Sequence, residues 1–145
     1  MIYLVAIKDI DKKEAETIFN ESIEIGKWFF KENKHSVYKK IKNSDKIVIY
    51  KSGITGGYFI GEFEIDGEVE KNNEDIKFFQ IFNFCVNIKK VKLYNKKIIL
   101  KEYKDNFDFI KNKDNYGSAL QRGNVKLDLK DYDFLINILE GEENK

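Results

Sequence analysis

A β-hairpin is the clearest structural signal in this chain, and it is encoded in residues 42–69, KNSDKIVIYKSGITGGYFIGEFEIDGEV. The β-branched and aromatic residues at 47–50 predict a buried strand. Glycines at 53–57 predict a tight connection, because glycine readily adopts the positive φ angles of hairpin turns. A second strand is predicted over 58–69. Its alternation places on one face Phe59, Gly61, Phe63 and Ile65, and on the other Ile60, Glu62 and Glu64.

The segments around this hairpin add further strands and helices. Strands are predicted at residues 2–8, 82–93, 96–100 and 119–127. A helix is predicted after the capping-box-like Asp11-x-x-Glu14, ending at Gly26. Other helices are predicted at 103–110 and after Asp128-x-x-Asp131, where Tyr132, Leu135, Ile136 and Leu139 form a stripe. Five or six mostly sequential strands with inserted helices indicate an α+β class, in which such a sheet curls into a small barrel.

The composition favours one compact domain over residues 1–145, with a polar tail at 141–145. The 12 Phe, 8 Tyr and one Trp predict a core rich in rings. A net charge of +1 means that any nucleic-acid contact must use a local basic patch. The single cysteine, Cys85, excludes an internal disulfide and is predicted to be buried. We expect no metal, no cofactor and no membrane span, and a cytoplasmic location.

Residues suited to catalysis are scarce. His35 is the only histidine, and its neighbours offer no base–nucleophile pair, so a solvated loop position is expected. Gly53-x-x-Gly56-Gly57 lacks the Lys-Ser/Thr of a P-loop and lies between predicted strands. Solvation and helix capping explain most of the acidic residues. The sequence therefore predicts no catalytic residue and favours a binding protein over an enzyme.

The aromatic run Trp28-Phe29-Phe30 is the strongest candidate for a binding site. Three consecutive rings cannot all point inward from one regular element, so at least one is expected under a loop or in a cleft. Lys31, Lys34 and His35 follow, and rings beside cations are typical of nucleobase stacking and phosphate contact. The alternative is that the rings only close one end of the barrel.

Arg122 is the only arginine among the 26 Lys and Arg residues. Because lysine supplies the other positive charges, a lone arginine indicates a position that needs a planar, bidentate donor. A phosphate or a base edge is one such partner. A structural ion pair with a carboxylate is the other interpretation.

The order of these segments resembles the EVE domain of the PUA-like superfamily. The similarity begins with the strand at 2–7 and the aromatic and basic segment at 28–34. It continues through residues 41–50, similar to the family's x-K-x-G-D-x-x-V-x-Y, and residues 58–63, similar to G-I-x-G-x-x-x-V. It ends with residues 109–113 and with Leu120-Gln121-Arg122-Gly123 before the last helix.

The resemblance implies a PUA-like curled barrel of five or six strands with flanking helices. It also implies binding of RNA or DNA, including modified bases held in an aromatic cage as in the related YTH domains. Two departures from the family pattern stand out: Leu4 occupies a first-strand position where the family commonly has Trp, and Ser44 replaces the glycine of the G-D turn. The binding residues that the resemblance implies are Trp28, Phe29, Lys34, Gln121, Arg122, Tyr3 and Lys8.

The sequence therefore leaves three possible functions open. The first is a module that recognises a nucleotide, with RNA and DNA both open as ligands and a modified base as the sharper form. The second is a small enzyme acting on a nucleotide or tRNA fragment, as in ASCH-type relatives, using Lys8, Asp9 or Lys34. The third is a protein-interaction domain beside a larger nucleic-acid-processing system.

Overall fold

The structure, a computed structural model, describes residues 1–10, 12–32, 37–52, 57–111 and 124–141. The strands are β1 (Ile2–Ile7), β2 (Lys27–Phe30), β3 (Lys46–Lys51), β4 (Tyr58–Ile65), β5 (Glu70–Lys71), β6 (Phe84–Leu93) and β7 (Asn124–Leu127). The α-helices are α1 (Ala15–Ile25), α2 (Leu100–Tyr103) and α3 (Leu129–Gly141). Short 3₁₀ helices lie at Val37–Lys39, Lys77–Ile81 and Lys104–Asn106.

The strands form one mixed sheet in the order β2-β6-β4-β3-β1-β7, with β5 paired to the start of β6. β1 and β3 run parallel, because α1 and β2 form the crossover between them. The other strand pairs are antiparallel. β1 and β2 are separated by three strands in this order, yet their side chains pack in one apolar cluster. The sheet therefore curls strongly, in agreement with the predicted α+β barrel-like fold.

Two apolar clusters cover the two faces of the curled sheet. The inner core lies on the concave face and contains Tyr3, Phe19, Trp28, Phe30, Ile47, Ile49 and Phe63. The outer core lies between the convex face and α3 and contains Leu4, Val48, Tyr50, Phe59, Leu127, Leu135 and Leu139. A smaller cluster of Ile18, Phe29, Phe79 and Cys85 flanks the inner core. Both the ring-rich core and the buried Cys85 are thus confirmed.

A β-bulge in β4 changes which side chains share a face of this strand. Ile49 pairs with Gly61, whereas the next residue, Tyr50, pairs with Phe59, so Ile60 is an extra residue on β4. The bulge turns Phe59 into the outer core, while Phe63 remains in the inner core. The prediction that Phe59 shares a face with Gly61, Phe63 and Ile65 is therefore wrong. Strict alternation cannot reveal an inserted residue.

Glycine at position 61 permits a close approach inside this bulged segment. A Cβ placed there would lie 2.6 Å from the backbone oxygen of Lys92 and 3.0 Å from a ring carbon of Phe19. The first contact is with backbone, which has little freedom to move away. Gly61 therefore allows α1 to pack Phe19 directly on β4.

The predicted first helix is confirmed, although its start differs in detail. Gly26 ends α1 in the left-handed conformation, with φ +86°, as the sequence predicts. The carboxylate that caps the helix start belongs to Asp9, whose Oδ1 accepts the Ala15 N–H at 2.9 Å. Glu14 makes no side-chain cap, and Asp11 lies outside the described residues.

The region between β6 and β7 departs most from the sequence predictions. The strand predicted at 96–100 is reduced to one bridge between Ile99 and Tyr58, and α2 begins at Leu100. The helix predicted at 103–110 is only a 3₁₀ turn, although Phe107 and Ile110 are buried. The hairpin turn at 53–56 and the extended segment at 119–123 lie outside the described residues.

The last helix is confirmed, but one predicted cap has another role. Leu135 and Leu139 are buried against the sheet. Asp131 is only 1% exposed, and its two oxygens accept the N–H groups of Asp108 and Phe109 at 2.7 and 2.9 Å. It therefore fixes the preceding connection to α3 and is not a solvated capping residue.

A buried polar network fixes α3 to the sheet. Glu62 on β4 is 5% exposed and accepts hydrogen bonds from Tyr132 of α3, at 2.9 Å, and from Tyr94, at 3.1 Å. Lys46 of β3 lies 3.2 Å from the same carboxylate and donates to the Tyr132 hydroxyl at 2.9 Å. The Glu62 charge is thus compensated, as a buried carboxylate requires.

This network predicts a loss of stability at alkaline pH. Burial, and then the Glu62 charge, raise the pKa of Tyr94 well above 10.0; burial is also the largest effect raising the pKa of Tyr132. Above pH 10.0 the unfolded tyrosines ionise while the folded ones stay neutral, so the free energy of unfolding falls as the pH rises. Urea denaturation between neutral and alkaline pH should show this fall. Replacement Tyr94→Phe should make it shallower, and an unchanged slope would contradict the assignment.

A second stability prediction concerns Ser44, which has φ +72° in the turn before β3. This conformation costs a non-glycine residue about 1–2 kcal/mol. Replacement by glycine removes that cost, but part of the gain is lost because glycine has more conformational entropy in the unfolded chain. Since the Ser44 N–H bond to the Ile65 carbonyl is retained by any residue except proline, Ser44→Gly should raise the free energy of unfolding by about 0.5–1 kcal/mol. Ser44→Ala keeps the strain and should not. Equal denaturation midpoints for both variants would contradict this.

Candidate functional site

A cavity of about 470 Å³ opens at one end of the curled sheet, between β1 and β2. Both strands also contribute to the inner core, so the cavity continues the concave face of the sheet. Helix α1 closes one side through Ile18 and Ser22. The residues that line it are Val5, Ala6, Ile7, Lys8, Asp9, Ile10, Ile18, Ser22, Trp28, Phe29, Phe30, Lys31, Val37, Phe79, Phe82 and Asn124.

The wall formed by β2 is aromatic. Trp28 packs on Phe63 and Phe19, with ring centroids 5.3 and 5.9 Å apart, so its back is fixed by the inner core. Phe29 lies 4.5 Å from the Phe79 ring and 5.8 Å from that of Phe82, measured between centroids. The rings of this wall are therefore held rigidly by their neighbours.

All three rings of β2 are buried, with exposures of 4–5%. All three rings also line the cavity, so the expectation that at least one of them lies in a cleft is confirmed. Trp28 and Phe30 face the inner core, and Phe29 faces the smaller cluster with Phe79. Both faces of β2 are covered, which alternation alone could not foresee. The cluster lies on a strand, β2.

The rim of the cavity is polar and basic. Lys8, directly after β1, and Lys31, directly after β2, are exposed at its mouth. Asn124 at the start of β7 contributes an amide. An apolar wall with a few polar groups at its edge is the usual composition of a ligand site, and the volume lies within the roughly 300–1,000 Å³ typical of such sites.

Among the described residues that line the cavity, Asp9 is the one carboxylate, and it already has partners. Its Oδ1 caps α1 through the Ala15 N–H and lies 3.8 Å from the Lys51 ammonium. Lys51 also lies 3.9 Å from Glu16 in the first turn of α1. Asp9 therefore positions the helix that closes the cavity.

The structure brings together three of the predicted site residues: Trp28, Phe29 and Lys8 all line the cavity. Tyr3 is placed elsewhere. It is 6% exposed in the inner core, donates its hydroxyl hydrogen to the Met1 sulfur at 3.3 Å, and is not among the residues that line the cavity. Lys34, Gln121 and Arg122 lie outside the described residues.

The departure at Leu4 does not affect this cavity. Leu4 is fully buried in the outer core, on the opposite face of β1. The first-strand side chains of the concave face that line the cavity are Val5 and Ile7. A tryptophan at position 4 would point away from the site in this chain.

Sequence reasoning missed the two rings that extend the β2 wall of the cavity. Phe79 and Phe82 come from the 3₁₀ segment at Lys77–Ile81 and its end, about 50 residues beyond β2. Asn124 comes from β7. The run Phe78-Phe79-x-x-Phe82 was a signal of the same kind as Trp28-Phe29-Phe30, but nothing in the spacing joins the two runs. Only the pairing of β2 with β6 brings them together.

Within the described ranges, no group of three or more His, Cys, Asp or Glu residues is arranged to hold a metal ion. In the same residues, no helix is long and apolar enough to cross a membrane.

Comparison with solved structures identifies the fold. The DUF55 domain of human thymocyte nuclear protein 1 superposes with a TM-score of 0.65 at 12% identity, over 97% of this chain and 99% of that one. The chain has a PUA-like fold. The EVE-type resemblance seen in the sequence is thereby confirmed at the level of the fold.

Two further solved structures with a similar fold contain nucleic acid. Human THYN1 protein in complex with 5-methylcytosine-containing DNA superposes with a TM-score of 0.61 at 13% identity, over 96% of this chain and 97% of that one. The YTH domain of Zygosaccharomyces rouxii MRB1 protein in complex with N6-methyladenosine RNA superposes with a TM-score of 0.58 at 12% identity, over 95% of this chain and 86% of that one. No protein-family model and no curated protein sequence matches the chain.

Because Trp28 supports both the cavity and the inner core, its removal should destabilise the protein. We expect Trp28→Ala to lower the free energy of unfolding by about 3–5 kcal/mol, as for other buried aromatic truncations. Trp28→Phe keeps a ring beside Phe63 and should cost much less. Urea denaturation followed by circular dichroism measures both, and a cost below about 1 kcal/mol for the alanine variant would show that the ring is not part of the core.

Proposed function

We propose that the cavity between β1 and β2 binds one base of an RNA or DNA strand, with a modified base as its preferred ligand. The observation that carries this proposal is the combination of the aromatic wall at Trp28 and Phe29 with the basic rim at Lys8 and Lys31. The complexes of THYN1 and the YTH domain with methylated nucleic acids support it, since this chain has the same PUA-like fold.

The chemistry of the cavity suits an extruded or single-stranded base. Stacking on one aromatic ring contributes about 1–3 kcal/mol, whereas removing a base from a duplex costs a few kcal/mol. Several contacts are therefore needed. Val5 and Ile7 on β1 add apolar contact on the wall opposite the rings, and Asn124 contributes a side-chain amide to the lining.

The apolar walls of the cavity also provide a way to distinguish a methylated base from an unmethylated one. A methyl group has no hydrogen bond to offer, so apolar contact is the only way to detect it. The cavity is enclosed by rings and aliphatic side chains, where an added methyl group would be removed from water. We propose that this contact distinguishes a methylated base from its unmodified form.

Arg122 remains part of the proposal as a phosphate or base-edge ligand. It lies two residues before Asn124 in the sequence, and Asn124 lines the cavity. Lysine would keep the charge at this position but not the planar, bidentate geometry. Gln121 and Lys34 are proposed as further contacts on the resemblance alone.

The enzymatic alternative has less support from the described residues. It requires a basic side chain and a carboxylate converging on a ligand, with Asp9 as the nearest acid. That carboxylate caps α1 and pairs with Lys51 instead. The basic rim likewise favours nucleic acid over a purely apolar protein-docking surface.

The proposal can be tested by filling the cavity without removing its supports. Replacement Ile7→Phe adds a ring to the concave face of β1 and should weaken binding of a methylated oligonucleotide at least tenfold, while a methylated strand should bind wild type more tightly than an unmethylated one. Fluorescence anisotropy at about 50 mM salt measures both. RNA and DNA versions identify the preferred strand.

The matched control is Ile2→Phe, which adds the same ring to the outer face of β1. It should leave affinity unchanged, and thermal melting should show both variants folded. Arg122→Lys should weaken binding while keeping the charge. Equal affinity of wild type and Ile7→Phe for the methylated oligonucleotide would contradict the cavity as the binding site. Equal affinity of wild type for methylated and unmethylated strands would contradict only the preference for a modified base.

A further inference from the structure

A second depression lies on the other side of α1 from the cavity. It is a groove of about 420 Å³ between α1, the start of β4 and the segment that follows β6. The residues that line it are Glu16, Asn20, Tyr58, Phe59, Ile60, Leu93, Tyr94, Asn95, Lys96 and Lys97.

The groove combines an aromatic ring with cations and amides. The Lys97 ammonium lies 4.3 Å from the centroid of the Tyr58 ring, and that of Lys51 lies 5.7 Å from it. Asn20 and Asn95 supply side-chain amides at the walls. Lysines beside a ring, with hydrogen-bonding amides close by, are suited to a sugar–phosphate backbone.

The charge of the groove is positive despite the acid on its wall. Glu16 is the acid among the lining residues, whereas Lys96 and Lys97 are both cationic, so the formal charge of the lining is positive. Lys51 lies near both Glu16 and Asp9 and is shared by the two carboxylates. Phosphate groups are attracted by such a surface, whereas a neutral ligand gains nothing from it.

One side chain joins the groove to the cavity. Lys51 contacts Asp9, which lines the cavity, and Glu16, which lines the groove, at 3.8 and 3.9 Å. Among the described residues, the two depressions therefore lie on either side of the start of α1 and are joined by the ion pairs of Lys51.

We propose that this groove binds the phosphodiester backbone of the single-stranded segment that flanks the base held in the cavity. The inference rests on the proposed function and adds the strand's path to it. Holding the flanking backbone keeps the extruded nucleotide at the cavity mouth, and Lys97 is its main phosphate ligand.

The test compares two charge reversals of equal size. Lys97→Glu reverses a charge in the groove, which lies at the end of β6. Lys71→Glu reverses a charge on β5, which pairs with the start of β6 and is therefore away from the groove. With a single-stranded oligonucleotide of about ten nucleotides, Lys97→Glu should weaken binding about tenfold at about 50 mM salt. It should also lower the slope of log affinity against log salt by about 0.7 for each phosphate that the variant no longer neutralises. Lys71→Glu should stay close to wild type.

Including Ile7→Phe separates this inference from the proposed function. Equal effects of Lys97→Glu and Lys71→Glu would overturn the groove proposal, whatever the cavity variant does. Loss of binding in Lys97→Glu but not in Ile7→Phe would support the groove and contradict the cavity. A methylated mononucleotide should bind Lys97→Glu as tightly as wild type, since it has no flanking backbone, and weaker binding there would also overturn the groove assignment.

Discussion

The contact of Trp28 with Phe63 sets the geometry on which the rest of the protein depends. β2 is an edge strand, and β4 lies two places away in the sheet, yet these rings are 5.3 Å apart across the concave face. Their packing joins two strands across the concave face of the curled sheet. The cavity lies between β2 and the facing β1, so Trp28 belongs both to the inner core and to the wall of the cavity.

Helix α1 is the second determinant, because it separates the two depressions. Asp9 caps its start, Gly26 ends it, and Gly61 lets its Phe19 pack directly on β4. Lys51 connects the helix to both the cavity rim and the groove. The ion pairs are exposed, so their contribution to stability is modest and their main effect is to fix position.

Much of the fold could be predicted from the sequence, because apolar periodicity is a local property. It located β1, β3, α1 and α3, and the run of three rings at 28–30 pointed to Trp28, which lines the cavity. The bulge at Ile60 and the buried Glu62 could not be predicted, since both depend on partners far along the chain. For the same reason the pairing of Phe29 with Phe79, which completes the cavity wall, left no trace in the spacing.

The intrinsic fluorescence of Trp28 tests the central claim most directly, because it is the only tryptophan and it lines the cavity. A base stacked in the cavity must change this emission. We predict a saturable change when a methylated single strand is added, with the same midpoint as its fluorescence anisotropy. Binding seen by anisotropy with no change in Trp28 emission would place the nucleic acid elsewhere on the protein and contradict the account.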